Sequence, residues 1–254
     1  MREWKLAETR YGVVRDRRYE VAVLPIGSTE PHGLHLPYCT DAYEVESLAD
    51  LACQRAHAMG AKVLLLPTIP YGVNTNHLAI PVAISLNPST LDAVIVDVMD
   101  SLEHHGIPKL VLLNGHGGNQ FNNLLREMHR RTSLFVTWVD AWKIAAEERA
   151  ALFAAPGEHA DEMETSWMLH VRPDLVALSE ADDGAVNQPR IRALREGWAW
   201  YVRPWEKLTR NTGYGDPRGA TAEKGAQFLQ ASADKLAAFL KELSDAQLDD
   251  KFPY

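Results

Sequence analysis

Four short apolar runs recur along the chain, and longer segments with amphipathic spacing separate them. The runs are rich in aliphatic and β-branched residues and are too short for helices, which is typical of buried strands joined by crossover helices. They cover residues 21–26, 62–66, 109–113 and 134–139. The pattern therefore predicts an α/β fold built from repeated βα units around a mostly parallel sheet.

Three further segments have the spacing of helices. Between the first two runs, apolar residues recur at helical intervals over 42–59, and Gly60 follows as a stop signal. Before the third run, the pattern predicts a helix that is capped by Ser89 and ends at Gly106. A last amphipathic helix is expected to begin at Thr221 and to pack on the sheet.

Length and composition place the chain among ordinary globular proteins. At 254 residues, with 46% hydrophobic and 24% charged residues, we expect a single domain over 1–254. The net charge of -8 argues against nucleic acid as a partner. No apolar targeting or membrane-spanning segment is visible, which predicts a cytoplasmic protein without a membrane partner. Cys39 and Cys53 form no metal-binding pair and are expected to be free thiols.

The first candidate site follows the first strand, in the segment GSTEPHGLHLPYCTD. Glu30 and His32 are two residues apart, so in an extended segment their side chains point the same way, and Asp41 returns after a turn. Two carboxylates and an imidazole suit Zn²⁺ or Mn²⁺, and Asp41 is the candidate for bridging two ions. The alternative is that Asp41 caps its helix and the histidines bond to the turn backbone.

The second candidate site is the segment NGHGGN, which follows the third strand. The carboxyl ends of parallel strands form ligand crevices, so His116 is the expected fourth metal ligand, with Asn114 or Asn119 supplying polar contacts or orienting its ring. Gly117 and Gly118 allow close approach of the backbone to a ligand and are predicted substrate contacts. A dinucleotide loop is the rival interpretation, but the segment does not match GxGxxG.

The third candidate site is the acidic segment GEHADEMETS, which leads into a helical stretch. On one helix His159 and Glu164 would face opposite ways, so both can face a site only if the helix begins between them. The alternative for Glu158, Asp161 and Glu162 is an exposed, acidic helix start.

Two loops are predicted to line a substrate pocket. Asn76 and His77 follow the second strand, and Trp198 lies in the irregular, tryptophan-rich stretch 182–219. Plain turn chemistry is the alternative for the loop of Asn76 and His77, and an interface is the alternative for the tryptophan-rich stretch.

Together these segments resemble the creatininase (creatinine amidohydrolase) family over about residues 5–245, with LPIGSTEPHGLHLPYCTD, NGHGGN and HADEMETS in the expected order. The resemblance implies a three-layer α/β/α sandwich, a two-metal centre with Zn²⁺, Mn²⁺ or Fe²⁺, and homo-oligomers, often hexamers. It also implies metal ligation and acid/base catalysis at defined positions. Glu30 and His116 would bind one ion, His32 the other, Asp41 both, and His159 would be the acid/base residue.

The chain departs from creatininase itself at Gly118, where that enzyme has a glutamate ligand. Glu164 is the candidate replacement. The expected activity is attack of metal-activated water on a carbonyl of a small polar cyclic substrate, with cleavage of an amide C–N bond. One alternative is a hydrolase that opens a dehydro-inosose ring through a C–C bond, because the residues TEPHGLHLPY of the first segment resemble that branch of the family. The other alternative is a non-catalytic metal-binding domain.

Overall fold

Four parallel strands form one sheet in the computed structural model, which describes residues 2–155 and 157–254. The strands are β1 (Val21–Ile26), β2 (Val63–Leu65), β3 (Lys109–Asn114) and β4 (Phe135–Asp140), in the spatial order β2-β1-β3-β4. Val21 is in register with Val63 on one side and with Lys109 on the other. The four predicted strands are confirmed, with bounds that shift by a residue or two, and β1 and β3 occupy the centre.

Helices connect the strands and follow them. Short helices and turns occupy much of the stretch 182–219, as its irregular sequence predicts. The helices are α1 (Tyr11–Val14), α2 (Thr40–Ala58), α3 (Pro88–His104), α4 (Asn122–Met128), α5 (Ala146–Leu152), α6 (Glu162–Val171), α7 (Arg192–Arg195), α8 (Trp205–Leu208) and α9 (Ala222–Asp245), with single 3₁₀ turns at Leu6–Glu8, Ala141–Lys143, Pro173–Leu175 and Leu178–Glu180.

Two apolar clusters lie on opposite faces of the sheet, because successive side chains of a strand point to opposite sides. Val21 and Val23 of β1 belong to a cluster that includes residues of α2, α6 and α9. Ala22, Leu24 and Ile26 belong to a second cluster, which includes residues of α3 and α4. Helices therefore flank the sheet on both faces, and the predicted α/β/α layering is confirmed.

Two helix starts test the predicted caps. The prediction for Ser89 was wrong, because Asn87 is the N-cap of α3 and Pro88 is its first residue. Proline favours that position because its fixed φ suits a helix and its missing N–H is not needed there. The prediction for Thr221 is confirmed, since its side chain accepts a hydrogen bond from the backbone N–H of Lys224.

Helices α6 and α9 approach each other closely at Gly225. A Cβ atom on Gly225 would lie within 3.0 Å of the carbonyl oxygen of Ser166, so no larger residue fits without a shift of one helix. The backbone N–H of Thr221 donates to the Ser166 hydroxyl at 3.1 Å. The last helix thus fixes the position of α6.

Two sequence predictions about the whole chain also have an outcome. Cys39 and Cys53 are free thiols in the described part of the chain, as predicted. Within residues 2–155 and 157–254, no helix is both long and apolar enough to cross a membrane.

Lys109, at the start of β3, is expected to stabilise the end of α9. Its side chain is buried and its Nζ donates to the carbonyl oxygen of Ala246 at 2.6 Å, just past the helix. Replacing Lys109 with Met leaves that carbonyl unpaired, and we expect a loss of about 1 to 3 kcal/mol in the free energy of unfolding. Chemical denaturation measures it. Lys62→Met, at an exposed lysine beside the same groove, is the control, and an equal loss in both variants would contradict the assignment.

Candidate metal centre

The candidate centre lies at the carboxyl ends of the two central strands. The segment after β1 turns tightly, with the backbone N–H of Glu30 donating to the carbonyl of Tyr38 at 2.9 Å, and returns to the first turn of α2 at Asp41. Cys39 is the N-cap of α2, so Asp41 does not cap the helix and its side chain is available to the site. His116 comes directly after β3. Glu30, Asp41 and His116 are all buried.

Glu30, Asp41 and His116 form the first set of possible metal ligands. His116 Nδ1 lies 3.0 Å from Glu30 Oε1 and 3.0 Å from Asp41 Oδ2. On the other side of the ring, Nε2 donates to the carbonyl of Val73 at 3.1 Å, so in the neutral ring Nδ1 carries the lone pair. A lone pair and two carboxylate oxygens then face one another, which is the arrangement of a metal site.

His32, Asp41 and Glu164 form the second set. His32 Nδ1 is 3.0 Å from the carbonyl oxygen of Glu30 and donates to it, which directs the Nε2 lone pair at Asp41 Oδ1, 2.9 Å away. Burial raises the pKa of Glu164 to about 8, and a nearby cation would reverse this shift by favouring the carboxylate. In both His32 and His116, one ring nitrogen donates to a backbone carbonyl, which fixes the tautomer and leaves the lone pair of the other nitrogen facing the carboxylates.

Asp41 belongs to both sets and gives one oxygen to each. Among the described residues, neither oxygen of Glu30 nor Oδ2 of Asp41 accepts a hydrogen bond of normal geometry. Buried carboxylate oxygens without donors are costly, and divalent cations would satisfy them. The residues present fit a two-ion centre.

His159 and Glu164 reach the centre from opposite sides of a helix start. Helix α6 begins at Glu162 with Asp161 as its N-cap, and Ala160 has a positive φ of 50°. The helix therefore begins between His159 and Glu164, which is the arrangement that allows both side chains to face the same site.

His159 is packed inside the centre. Its Nε2 donates to the carbonyl of Pro31 at 2.9 Å, and its Nδ1 lies 3.6 Å from Glu30 Oε1. Its ring lies against that of His32, with 4.0 Å between the centroids. Burial, followed by the charge that His32 carries when it is protonated, lowers the pKa of His159 to about 3, which keeps the His159 ring neutral. A third possible ligand set, with Glu30 and His32, also contains His159.

The other acidic residues of this segment have structural partners. Asp161 accepts hydrogen bonds from the N–H groups of Met163 and Glu164 as the helix cap. Glu162 pairs with Lys224, and Glu158 pairs with Arg203 at 2.7 Å. Glu164 is thus the carboxylate of the segment that belongs to a ligand set.

Asn114 and Asn119 supply polar contacts within the second loop and do not bond to the ring of His116. Asn114 Nδ2 donates to the carbonyl of His116 and to Asp140, both at 2.9 Å. Asn119 Nδ2 donates to Asn114 Oδ1 at 3.0 Å. The orientation of His116 thus follows from a fixed backbone.

A cavity of about 710 Å³ opens onto the centre. Trp198 does not line it: the side chain is 75% exposed and donates to Glu196. The prediction for Trp198 is corrected, since Trp200 and Trp205 of the same stretch are in the wall. The predicted substrate contacts that do line the cavity are Asn76, His77, Gly117 and Gly118.

Several wall residues were missed by sequence reasoning. Glu44 lies one helical turn after Asp41, so the spacing on α2 was a signal for it. Arg149 and Trp142 enter the wall from segments without a recognisable motif.

Gly118, where the sequence departs from creatininase, has no room for a side chain. A Cβ atom there would lie within 3.0 Å of the carbonyl oxygen of Val73 and of His116 Nε2, the pair whose hydrogen bond orients His116. Gly117 beside it has open space.

Known proteins share this sequence and fold. The profile of the family described as Creatininase: Creatinine amidohydrolase matches residues 7–240. The chain belongs to the creatininase family. Among its relatives, the mycofactocin precursor peptide peptidase of Mycobacterium ulcerans is 30% identical over 223 residues, 84% of this chain and 81% of that protein. The 3-dehydro-scyllo-inosose hydrolase of Thermotoga maritima is 25% identical over 262 aligned residues, 94% of this chain and 82% of that protein.

Solved structures of the creatininase family have the same fold. A Bacteroides fragilis protein with a provisional assignment as a creatinine amidohydrolase matches with a TM-score of 0.91 and 33% identity, covering 98% of this chain and 100% of that one. A creatininase described as the Mn form matches with a TM-score of 0.75 and 25% identity, covering 96% of this chain and 99% of that one. The named relatives are hydrolases, and this chain is a hydrolase of the same family.

Proposed function

We propose that this hydrolase binds two divalent ions, Zn²⁺, Mn²⁺ or Fe²⁺, and cleaves an amide C–N bond of a small polar cyclic substrate. The observation that carries the proposal is the position of Asp41, which gives one carboxylate oxygen to each of two ligand sets. Mixed imidazole and carboxylate sets suit these metals. The ligands would be Glu30, Asp41 and His116 for one ion and His32, Asp41 and Glu164 for the other.

The chain's own residues would bind substrate and move a proton. When bound, the ions would polarise a substrate carbonyl and lower the pKa of an attacking water. His159 keeps its Nε2 proton on the carbonyl of Pro31, so Nδ1 would take up a proton from the attacking water and pass it to the leaving nitrogen. Asn76, His77 and the backbone of Gly117 and Gly118 would contact the substrate from the cavity wall.

A second candidate is hydrolysis of a C–C bond in a dehydro-inosose ring. The Thermotoga maritima relative with that name matches 94% of this chain, a larger share than the peptidase relative does. The same centre serves both reactions, because each begins with attack of water on a carbonyl carbon. The amide reaction is favoured because two relatives, a peptide peptidase and a creatinine amidohydrolase, have names that denote C–N cleavage.

The first experiment is elemental analysis of the purified protein, together with a hydrolysis screen. The substrates are creatinine, formamides, short peptides and dehydro-inososes. About two ions per chain and turnover of an amide would support the proposal. Turnover of a dehydro-inosose alone would favour the C–C reaction. Protein that stays folded, holds no metal and gains no activity with added Zn²⁺ or Mn²⁺ would overturn both.

Gly118→Ala should weaken binding of the ion held by His116. The added methyl group would displace the His116 ring or its Val73 partner, and loss of such an orienting contact costs about 10- to 100-fold in metal affinity. Gly117→Ala is the matched control, since open space surrounds that position and we expect no change. Titration of metal-free protein with Mn²⁺ against a chelator measures the affinity. Equal affinities of the two variants would contradict the prediction.

We also infer a cytoplasmic homo-oligomer, a hexamer if it follows the family resemblance. Large apolar side chains are exposed on loops around the centre, among them Leu34, Leu78 and Val82. Light scattering after gel filtration measures the assembly, and a monomer at micromolar concentration would contradict it.

A further inference from the structure

His77 is a buried histidine that belongs to neither of the two ligand sets that share Asp41. It follows β2 in the chain and is 2% exposed. Its Nδ1 contacts Oε2 of Glu30, the oxygen that does not face His116. The two oxygens of Glu30 thus face different rings. Oε1 faces His116, with His159 Nδ1 at 3.6 Å, and Oε2 faces His77.

This contact favours one tautomer of His77. Neither ring nitrogen of His77 has a hydrogen bond of normal geometry among the described residues, and a carboxylate oxygen beside Nδ1 favours an N–H there over a lone pair. His116 presents the opposite arrangement to Glu30, because its proton is on Nε2, bonded to Val73. His77 therefore presents an N–H to Glu30. His116 presents a lone pair, and a cation would be needed between that lone pair and the carboxylate of Glu30.

The His77 ring is held in place on several sides. Its backbone N–H donates to the carbonyl of Asn74 at 2.9 Å, and its ring meets Trp205 edge-on with 4.4 Å between the centroids. The backbone N–H of Trp205 donates to the carbonyl of Asn76 at 3.1 Å, which fastens the tryptophan to the same loop. The loop and the tryptophan thus restrict the ring beside the carboxylate that it touches.

We propose that His77 is a positioning residue for Glu30: it holds Oε2, so that Oε1 is presented to the ion shared with Asp41 and His116. The inference rests on the proposed two-ion function. Glu30 has several rotatable side-chain bonds and, within the described chain, no hydrogen bond of normal geometry to either oxygen. Ligand carboxylates are commonly oriented by such outer contacts, whose loss costs about 10- to 100-fold in metal affinity.

The test uses His77→Phe and His77→Asn in the full chain. Phenylalanine keeps a ring against Trp205 but removes both nitrogens, whereas asparagine keeps an N–H near the position of Nδ1. Metal-free protein is titrated with Mn²⁺ and with Zn²⁺ against a chelator, and its melting temperature is measured. For His77→Phe we expect one ion to bind about 10- to 100-fold more weakly, the other to bind normally, and the metal-free melting temperature to stay unchanged. His77→Asn should restore most of the affinity.

The outcomes separate this inference from the proposed function. If the unaltered protein binds no metal, the proposed function fails. If it binds two ions and His77→Phe binds them equally well, only the positioning role fails, and a raised KM would then leave His77 as a substrate contact. A lower melting temperature of the metal-free Phe variant, with no rescue by Asn, would also overturn the role. His170→Phe, at an exposed histidine, controls for the replacement itself.

Discussion

Asp41→Asn should lower kcat by about 10³-fold or more and lower the metal content from about two ions per chain to below one. Both ligand sets use this carboxylate, so the substitution weakens both ions at once, whereas loss of His116 or Glu164 affects one set. Metal assistance contributes several kcal/mol to the transition state, and about 1.4 kcal/mol corresponds to a tenfold change in rate. Elemental analysis and kcat measured on the same samples report the two losses together.

Asp92→Asn is the matched control for Asp41. Asp92 lines the same cavity from α3 but belongs to no ligand set among the described residues, so its variant should keep both ions and nearly full turnover. A folded Asp41→Asn protein with its metal and its rate intact would rule out a shared bridge. Equal losses in both variants would point to a general effect of charge in the cavity.

His159→Gln should lower kcat by about 10²- to 10⁴-fold and leave both ions in place, because a general acid/base contributes rate rather than affinity. The side chain lies in the cavity wall and its Nδ1 is 3.6 Å from Glu30 Oε1, close to the point where a proton would be transferred. Rapid-mixing kinetics give kcat, and elemental analysis gives the metal content. We expect kcat to fall while the metal content stays unchanged.

Two other results for His159→Gln would change the assignment. Loss of one ion would make His159 a ligand, as its membership of the third set with Glu30 and His32 allows. Retained metal with no change in any measured reaction would favour the non-catalytic metal-binding domain. A His170→Gln variant, changed on the exposed face of α6, controls for the substitution.

The sequence predicted the elements whose pattern is local. Apolar runs identified all four strands, and the motifs after β1 and β3 lie at neighbouring strand ends because parallel strands share an edge. The start of α3 was misplaced because Ser89 and Asn87 are both good caps, and Pro88 between them decides the choice. Residue preferences at helix starts identify such N-cap candidates, but they do not decide between two good candidates that lie two residues apart.

The cavity wall could not be predicted in the same way. It is assembled from segments far apart in the chain, and the irregular stretch that supplies Trp200 and Trp205 has no period to indicate which side chains turn inward. Trp198 was chosen there instead, although it points outward. The contact of His77 with Glu30 likewise depends on how two loops meet, which no spacing along the chain reveals.

The close approach of α9 to α6 makes one half of the proposed centre sensitive to a helix that holds none of its ligands. Glu164 is carried by α6, and Gly225 on α9 sets how near the two helices can lie. Glu30 and His116 follow the central strands, and Asp41, which both sets share, lies on α2, which belongs to the same apolar cluster as α9. A shift of α9 would therefore displace Glu164 most directly, and we expect the ion proposed for His32 and Glu164 to bind less tightly than the other.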